Sequence, residues 1–117
     1  MFPNLRIWGG ELDNVPGCTN PVKGNMTWEP LTGVNCTGYH TPCHTQGHVC
    51  YYFDCGVAGP VEPVVEVRKQ YTIIKNLNRF YATGDTIFTG GCGRFFEGNA
   101  EEMVACMNLA RSLPEDT

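Results

Sequence analysis

The sequence predicts an α/β fold, with a mixed β-sheet and one amphipathic helix near the C-terminus. Short runs rich in β-branched and aromatic residues recur along most of the chain, and Gly, Pro and Asn separate them. Apolar residues recur at helical spacing only at the end of the chain. The chain has 117 residues, which is the size of one domain with a modest core. We therefore expect residues 1–117 to form a single domain.

The predicted strands follow one another with short connections. The first covers residues 5–8 and ends at Gly9 and Gly10, whereas residues 13–24 are rich in Pro, Gly and Asn and predict a loop. Further strands are predicted at residues 26–31, 34–39, 49–53, 64–67, 71–74 and 80–83. A breaker-rich stretch at 56–63 and a polar stretch at 75–79 interrupt them. The run at 49–53 is apolar on both faces, which is typical of an interior strand.

The C-terminal helix has the clearest local signals. Asn99 is a suitable N-cap, and Glu102 three residues later completes a capping box. Acidic Glu101 and Glu102 in the first turn suit the helix dipole, and Pro114 follows the end. An apolar stripe at helical spacing is formed by Met103, Cys106, Met107 and Ala110. Such a stripe indicates packing against a core.

Composition and charge exclude several classes of function. Apolar residues make up 42% of the chain and charged residues 17%, which is ordinary for a soluble globular protein. The net charge of −4 and the lack of a basic patch argue against binding to nucleic acid or to an anionic membrane surface. The apolar runs are far shorter than a membrane span, and residues 1–4 lack a signal-peptide pattern. These features predict a soluble, cytoplasmic protein, with mitochondria as the alternative location.

Seven cysteines are many for a cytoplasmic domain. An odd number cannot all pair, and no secretory signal accompanies them, so a disulfide framework is the weaker interpretation. We expect most of the thiols to be small buried apolar side chains.

Three histidines lie within nine residues, at positions 40, 44 and 48, between two predicted strands. A tight connection between strands can aim an imidazole at a metal ion, which suggests a ligand in this segment. Farther along the chain, Gly84 permits close backbone approach at a strand end, from which Asp85 would project. Arg94 follows Gly93 and has a guanidinium suited to holding a carboxylate.

These segments resemble a known family. Residues 41–48, T-P-C-H-T-Q-G-H, resemble the third metal-binding motif of the metallo-β-lactamase superfamily, in the form found in glyoxalase II (hydroxyacylglutathione hydrolase). A second match lies at residues 83–88, T-G-D-T-I-F, followed by G-G-C-G-R-F-F-E-G at residues 90–98. The resemblance implies an α/β fold that is part of the metallo-β-lactamase αββα sandwich.

The resemblance also implies roles for individual residues. His44 matches a zinc ligand, and Asp85 matches the catalytic carboxylate that bridges two metal ions. His40 and His48 do not match ligand positions and are assigned structural or supporting roles, and Cys43 a packing role. Arg94, with the neighbouring Phe95 and Phe96, matches the region that helps to hold glutathione.

The reaction implied by the resemblance is hydrolysis of a thioester. A dinuclear zinc site would supply hydroxide at neutral pH, and iron or manganese would accept the same imidazole and carboxylate ligands. The hydroxide attacks the thioester carbonyl, and the products are a 2-hydroxy acid and a free thiol. The expected partner is thus a small-molecule thioester of glutathione or of a related thiol.

The chain departs from the family pattern in its ligand set. The signature T-H-x-H-x-D-H, which supplies most metal ligands in the superfamily, is not in this sequence. The last ligand histidine, in a G-H-E-Y-like motif, is expected after residue 117. The resemblance is tight over residues 39–52 and 82–113, loose before them, and lost over an insertion at 55–81. These departures predict an incomplete domain, the central part of such a protein, whose metal site can be empty.

Two alternatives follow from these departures. The chain can be a non-catalytic remnant of the fold, which associates with itself through its exposed edges but does no chemistry. It can also be a small zinc-binding module, although it lacks paired C-x-x-C knuckles. The candidate ligands of that module are Cys36, His40, Cys43, His44, His48, Cys50 and Cys55.

Overall fold

The computed structural model describes residues 4–56, 64–67, 70–73 and 78–117. The described elements are, in chain order, β1 (Trp8–Gly10), a short 3-10 helix (Glu11–Asp13), β2 (Asn20–Val22), β3 (Met26–Leu31), β4 (Val34–His40), β5 (Val49–Asp54), β6 (Val64–Val67), β7 (Gln70–Ile73), β8 (Arg79–Ala82) and α1 (Ala100–Ser112). Both parallel and antiparallel strand pairs occur, and one helix follows the strands. The prediction of a mixed α/β fold with a C-terminal helix is confirmed.

The largest sheet has four antiparallel strands in the order β3-β4-β5-β8. Strands β4 and β5 pair from Asn35 opposite Asp54 to His40 opposite Val49, and β5 pairs with β8 from Tyr51 opposite Ala82 onward. Strand β5 is therefore an interior strand, as its apolar sequence predicts. The ends of β4, β5 and β8 carry the loops in which the candidate site residues lie.

The N-terminal region differs from the prediction. The first strand is shifted to Trp8–Gly10, and the segment predicted as a loop contains β2, which pairs with β1 in parallel. The carbonyl of Ile7 accepts hydrogen bonds from the N–H groups of Thr19 and Asn20, at 2.9 and 3.0 Å. Because β2 is a short strand that contains Pro21, its composition resembles that of a loop.

Strands β6 and β7 form a separate antiparallel pair, with Val64 opposite Ile73 and Val67 opposite Gln70. The pair confirms the strand predicted at residues 64–67, and β7 begins one residue earlier than predicted. Most of the predicted breaker stretch, at 57–63, and the predicted residues 74–77 lie outside the described residues.

One face of the four-stranded sheet is lined with aromatic rings. Trp28 stacks on Trp8 with ring centroids 4.0 Å apart and meets Tyr51 edge-on at 6.2 Å. Phe53 and Phe80, on adjacent strands, stack at 4.4 Å. Tyr51 Oη also donates to the Trp8 carbonyl at 3.4 Å. These contacts fasten β1 to the sheet.

The opposite face carries Tyr39, Cys50, Tyr52 and Tyr81, of which Cys50 and Tyr52 are buried. Tyr39 lies 6.5 Å from Tyr52 and 6.4 Å from Tyr81 between ring centroids. Burial, together with the nearby thiols of Cys50 and Cys106, raises the pKa of Tyr81. Helix α1 lies beside the loop that follows β4, because Cys106 Sγ is 3.6 Å from the Pro42 carbonyl oxygen.

Helix α1 begins as its sequence predicts. Asn99 Oδ1 accepts from Glu102 N, and Glu102 Oε2 accepts from Asn99 N, each at 3.0 Å. Met103 and Cys106 are buried and pack against Cys43, and Met107 lies against them. Just before the cap, Gly98 N donates to the Cys43 carbonyl, so the N-terminal end of the helix lies next to the loop that carries His44.

All seven cysteines lie in the described ranges, and all are free thiols. Cys36, Cys43, Cys50 and Cys106 are buried, Cys18 and Cys55 are partly buried, and Cys92 is exposed. The prediction that most thiols act as small buried side chains is confirmed. Within the described part of the chain, no helix has the length and apolar character needed to cross a membrane.

Candidate functional site

Residues 41–48 form the loop between β4 and β5, and we call it the His44 loop. Thr41 N donates to the His48 carbonyl at 2.8 Å and closes the loop at its base. Asp13, from the 3-10 helix, binds the other end of the loop. Its two carboxylate oxygens accept hydrogen bonds from Gly47 N and Thr45 Oγ1, each at 2.9 Å. The loop is thus anchored to the N-terminal region.

Glu97 holds the same loop from the other side. Its carboxylate accepts from Gln46 N at 2.6 Å, and its carbonyl accepts from Gln46 Nε2 at 2.7 Å. His40 Nε2 donates to the Gln46 carbonyl at 2.7 Å, so this histidine has a structural role in the loop. Gly98 N donates to the Cys43 carbonyl at 2.9 Å. Together these bonds leave the loop little freedom to move.

His44 projects from this loop toward Asp85. Its Nδ1 lies 2.8 Å from the Arg94 carbonyl oxygen, which can only accept, so Nδ1 carries the proton. In the neutral imidazole the other nitrogen, Nε2, has a free lone pair, and it lies 3.9 Å from Asp85 Oδ2. The side chain of His44 is 21% exposed and that of Asp85 53%. Both groups are accessible to a small ligand.

Asp85 lies in a turn that follows β8. Gly84 precedes it with φ of +50°, a conformation that favours glycine. The Asp85 carbonyl accepts from Gly93 N at 2.8 Å, and the Asp85 N–H donates to His48 Nε2 at 3.2 Å. Thr86 N closes the turn on the Thr83 carbonyl at 3.0 Å. The backbone from which the carboxylate projects is thus hydrogen-bonded at both the N–H and the carbonyl of Asp85.

His48 is surrounded by a buried polar cluster. Its Nδ1 lies 2.9 Å from Thr41 Oγ1 and 3.2 Å from Thr86 Oγ1, and both threonines are fully buried. Thr41 Oγ1 also donates to Cys50 Sγ at 3.3 Å, and Cys50 Sγ donates to the Thr83 carbonyl at 3.2 Å. Cys50 thus links the loop to the turn before Asp85.

The charge states of His48 and Cys50 follow from this cluster. Burial raises the pKa of the Cys50 thiol, but the interactions of its sulfur with the neighbouring His48, Thr41 and Thr86 outweigh it and lower the pKa. The interaction with the nearby Cys50 sulfur in turn raises the pKa of His48, against the opposing effect of burial. The N–H of Asp85 points at Nε2 and the thiol donates to a carbonyl, so the geometry corresponds to a neutral imidazole and a neutral thiol.

Two of the three residues predicted to contact substrate, Arg94 and Phe96, lie beside His44. The ring of Phe96 meets the His44 imidazole edge-on at 5.1 Å, and the Arg94 guanidinium lies 5.5 Å from the centre of the Phe96 ring. Phe96 is 64% exposed, and Phe95 is 40% exposed. Arg94 and Phe96 are thus near the candidate ligands, and their outer surfaces are free.

The donor set fits part of a metal site. Nε2 of His44 and the carboxylate of Asp85 are ligand types that zinc accepts, and the bond from Nδ1 to a carbonyl is the support that ligand histidines commonly have. Within residues 4–56 and 78–117, no three His, Cys, Asp or Glu side chains are grouped so that they could hold a metal ion.

The described residues therefore do not support the alternative of a Cys/His zinc module. Its members serve other purposes. Cys36 and Cys50 are buried in the sheet, Cys43 packs against α1, and His40 and His48 bind neighbouring backbone or hydroxyl groups.

Two residues important to the geometry had no role in the sequence prediction. Asp13 lies in a segment predicted as a loop, and Glu97 is part of the motif at residues 90–98 without a predicted role of its own. The resemblance to a family motif could locate His44 and Asp85, but nothing local marks a carboxylate that binds a loop 34 or 51 residues away.

Comparison with known proteins identifies relatives along the whole chain. No protein-family model matches. A cytoplasmic hydroxyacylglutathione hydrolase of Arabidopsis thaliana is 38% identical over 119 residues, which cover 100% of this chain and 39% of that protein. A probable hydroxyacylglutathione hydrolase of Schizosaccharomyces pombe is 38% identical over 117 residues, covering 99% of this chain and 37% of the relative.

A bacterial relative gives the same result. The hydroxyacylglutathione hydrolase of Shewanella halifaxensis is 32% identical over 113 residues, which are 95% of this chain and 34% of that protein. The chain thus spans between 34% and 39% of the length of these three relatives. The His44 loop, the Asp85 turn and the similarity over the whole chain together lead to the conclusion that it belongs to the hydroxyacylglutathione hydrolase (glyoxalase II) family.

Proposed function

We propose that this chain forms part of a metal-dependent thioester hydrolase, which cleaves S-2-hydroxyacylglutathione to a 2-hydroxy acid and glutathione. In this proposal residues 1–117 are one incomplete domain of the metallo-β-lactamase αββα type, and the protein acts in the cytoplasm. The names of the relatives support the substrate class. The observation that carries the proposal is the approach of His44 Nε2 to Asp85 Oδ2 at 3.9 Å, with Nδ1 bound to a carbonyl.

His44 and Asp85 are the proposed metal ligands. The tautomer of His44 leaves Nε2 free to coordinate, and the two carboxylate oxygens of Asp85 allow it to bind two cations. Zinc is the proposed metal, and iron or manganese would accept the same ligand types. Catalytic zinc sites use three protein ligands or more, so other residues have to complete the site.

Arg94, Phe95 and Phe96 are the proposed contacts of the thiol carrier. Glutathione carries carboxylates, and a guanidinium can bind a carboxylate through two parallel hydrogen bonds. The Phe96 ring lies between Arg94 and His44, so a ligand bound by Arg94 would extend across this ring toward the candidate ligands. This arrangement supports a binding region adjacent to the reacting group.

The chemistry assigned to the residues of this chain is limited to binding and orientation. A divalent metal at this site would supply a water of lowered pKa and polarise the thioester carbonyl. His44 and Asp85 would hold and orient it, with Asp85 as the catalytic carboxylate. Arg94 would fix the carrier so that the scissile bond lies near them, and thiolate leaves readily without a strong acid.

Metal content per chain, measured by elemental mass spectrometry after loose ions are removed, tests the proposal. Where other residues complete the site, we expect about two equivalents per chain, as in dinuclear hydrolases. His44→Ala and Asp85→Asn should each reduce this content, whereas Asp116→Asn, which changes a carboxylate that binds Arg79, should leave it unchanged.

Thioester hydrolysis separates the proposal from the alternative of a non-catalytic remnant. The alternative is favoured by one observation, since the described residues supply two grouped ligand candidates rather than three. If the wild-type protein binds no metal and does not hydrolyse S-lactoylglutathione when zinc is added, the proposal is wrong and the chain is a non-catalytic remnant. Hydrolysis that is lost in the Asp85→Asn variant would support the enzyme.

A further inference from the structure

We propose that His48 is a positioning residue for Asp85, because its Nε2 accepts a hydrogen bond from the Asp85 backbone amide and so sets the direction in which the carboxylate projects. The inference rests on the proposed function only where it treats Asp85 as a ligand. The hydrogen bond on which it depends can be measured without any metal.

The Asp85 side of the ring is in close contact with the turn. Nε2 of His48 accepts from the Asp85 N–H at 3.2 Å. A Cβ atom added at Gly84 would lie 2.8 Å from the same nitrogen, so the backbone before Asp85 is pressed against the imidazole. With φ of +50° at Gly84, the turn has the one residue type that adopts this conformation without strain. Ring and turn are thus matched in shape.

The other side of the ring fixes the tautomer. Nδ1 faces the hydroxyls of Thr41 and Thr86, at 2.9 and 3.2 Å. Because Nε2 accepts from a backbone N–H, it carries no proton, and Nδ1 must be the donor in a neutral ring. Hydroxyls can accept that proton and still donate onward. The two threonines are 1% and 2% exposed, so water does not compete for the ring.

The hydrogen bonds run in one direction and return to the same turn. His48 Nδ1–H donates to Thr41 Oγ1, which donates to Cys50 Sγ at 3.3 Å, and Cys50 Sγ donates to the Thr83 carbonyl at 3.2 Å. The turn at residues 83–86 is therefore held at the Thr83 carbonyl and at the Asp85 amide by two side chains from the β5 region. A turn held at both points fixes the backbone from which the Asp85 carboxylate projects before any ligand arrives.

A pair of variants separates positioning from packing. In His48→Gln the side-chain oxygen can occupy the place of Nε2 and accept from Asp85 N–H. In His48→Asn the shorter amide can still donate to Thr41 but does not reach Asp85. We expect the Asp85 amide to exchange its hydrogen at least about tenfold faster in His48→Asn than in the wild type, and at a similar rate in His48→Gln.

The same variants should differ in metal affinity. With Co²⁺ as the only added metal, we expect His48→Asn to weaken binding about tenfold or more and His48→Gln to bind within a few-fold of the wild type, since loss of a supporting hydrogen bond commonly has this effect. If both variants lose the same stability toward urea while Asp85 exchange and Co²⁺ affinity stay unchanged, His48 only packs and the inference is wrong.

A measurement on the wild-type chain tests the inference even if the variants fold poorly. The ¹⁵N spectrum of His48 in metal-free protein should show a protonated Nδ1 and an unprotonated Nε2. A protonated Nε2 would overturn the inference. If the wild type binds no Co²⁺, the proposed function fails for this chain, but the ¹⁵N signal and Asp85 exchange still decide the role of His48.

Discussion

Gly93 is the residue at which the attachments of the two candidate ligands converge. Its N–H donates to the Asp85 carbonyl at 2.8 Å, and the carbonyl of the next residue, Arg94, accepts from His44 Nδ1 at 2.8 Å. A Cβ atom at Gly93 would overlap the Asp85 carbonyl and lie 3.0 Å from His44 Nδ1. The distance between the two ligands thus depends on a residue without a side chain.

We expect Gly93→Ala to destabilise the protein by about 1–3 kcal/mol, because the added methyl group has no room. The same change should weaken metal binding, since it pushes apart the two backbones that carry His44 and Asp85. Gly91→Ala is the matched control, because a Cβ atom there meets open space, and it should change stability by no more than about 0.5 kcal/mol. Urea unfolding of both variants measures the difference, and equal stabilities would contradict the explanation.

Arg94 has two separate contributions, one through its carbonyl and one through its guanidinium. Arg94→Ala keeps the carbonyl and removes the charge, so we expect KM for S-lactoylglutathione to rise roughly 10- to 100-fold, as for the loss of a charged hydrogen bond. Metal content should be unchanged. Arg111→Ala, which removes an exposed guanidinium from α1, should leave KM unaltered. A fall in metal content without a change in KM would show that Arg94 acts through the loop instead.

Some residues of the candidate site could be predicted from the sequence and others could not, for physical reasons. Residues 41–48 and 83–88 carry local strings that indicate His44 and Asp85, and the structure brings the two side chains together. The hydrogen bonds of Asp13 with Gly47 and of Glu97 with Gln46 join segments that are distant in the sequence. No spacing within the chain encodes such contacts, so they could be found only from the fold.

At the scale of elements, α1 and the paired strands β1 and β2 show what local signals can specify. The capping box and the stripe through Met103 and Cys106 are local, so the helix begins where the sequence predicts. Strand β2 forms because β1 lies beside it, and its own residues include Asn20 and Pro21, which have weak strand preference. A strand of this kind cannot be predicted from its own composition.

The capping box should contribute measurably to stability. Asn99→Ala removes the oxygen that accepts from Glu102 N, and we expect a loss of about 1 kcal/mol. Asn108→Ala makes the same change at an exposed position within α1 and should be neutral or stabilise by up to about 0.5 kcal/mol. Thermal unfolding followed by circular dichroism compares the two. If both variants lose equal stability, the cap is not what fixes the start of the helix.

At the scale of the whole molecule, the core is small and rich in thiols. Burial raises the pKa of Cys36 to about 11, and burial together with the neighbouring Cys50 and Cys43 raises that of Cys106 to about 11. Cys36 lies in the sheet and Cys106 in the helix, so both layers contain a thiol that must stay neutral. The protonation of these groups is therefore linked to folding of the entire chain.

We expect the free energy of unfolding to fall between about pH 9 and pH 11. Well below the ordinary cysteine pKa, the thiols of Cys36 and Cys106 are protonated in both states, and their full contribution to stability is present. Above it the unfolded chain releases protons that the folded chain retains, so each thiol costs up to about 2–3 kcal/mol by pH 11. Urea titrations in reductant measure this change. In Cys36→Ala the decrease should be shallower, and a free energy that stays constant to pH 11 would contradict the linkage.

The stacking of Trp8 on Trp28 gives the protein an internal optical probe. These are the two tryptophans of the chain, and one comes from β1 while the other comes from the four-stranded sheet. Tryptophan emission therefore reports a single event, the contact of the N-terminal strand with the sheet, without any label. The short helix that follows β1 carries Asp13, whose carboxylate binds Gly47 N in the His44 loop. A shift in the wavelength of tryptophan emission would therefore also signal that the loop has lost this hydrogen bond.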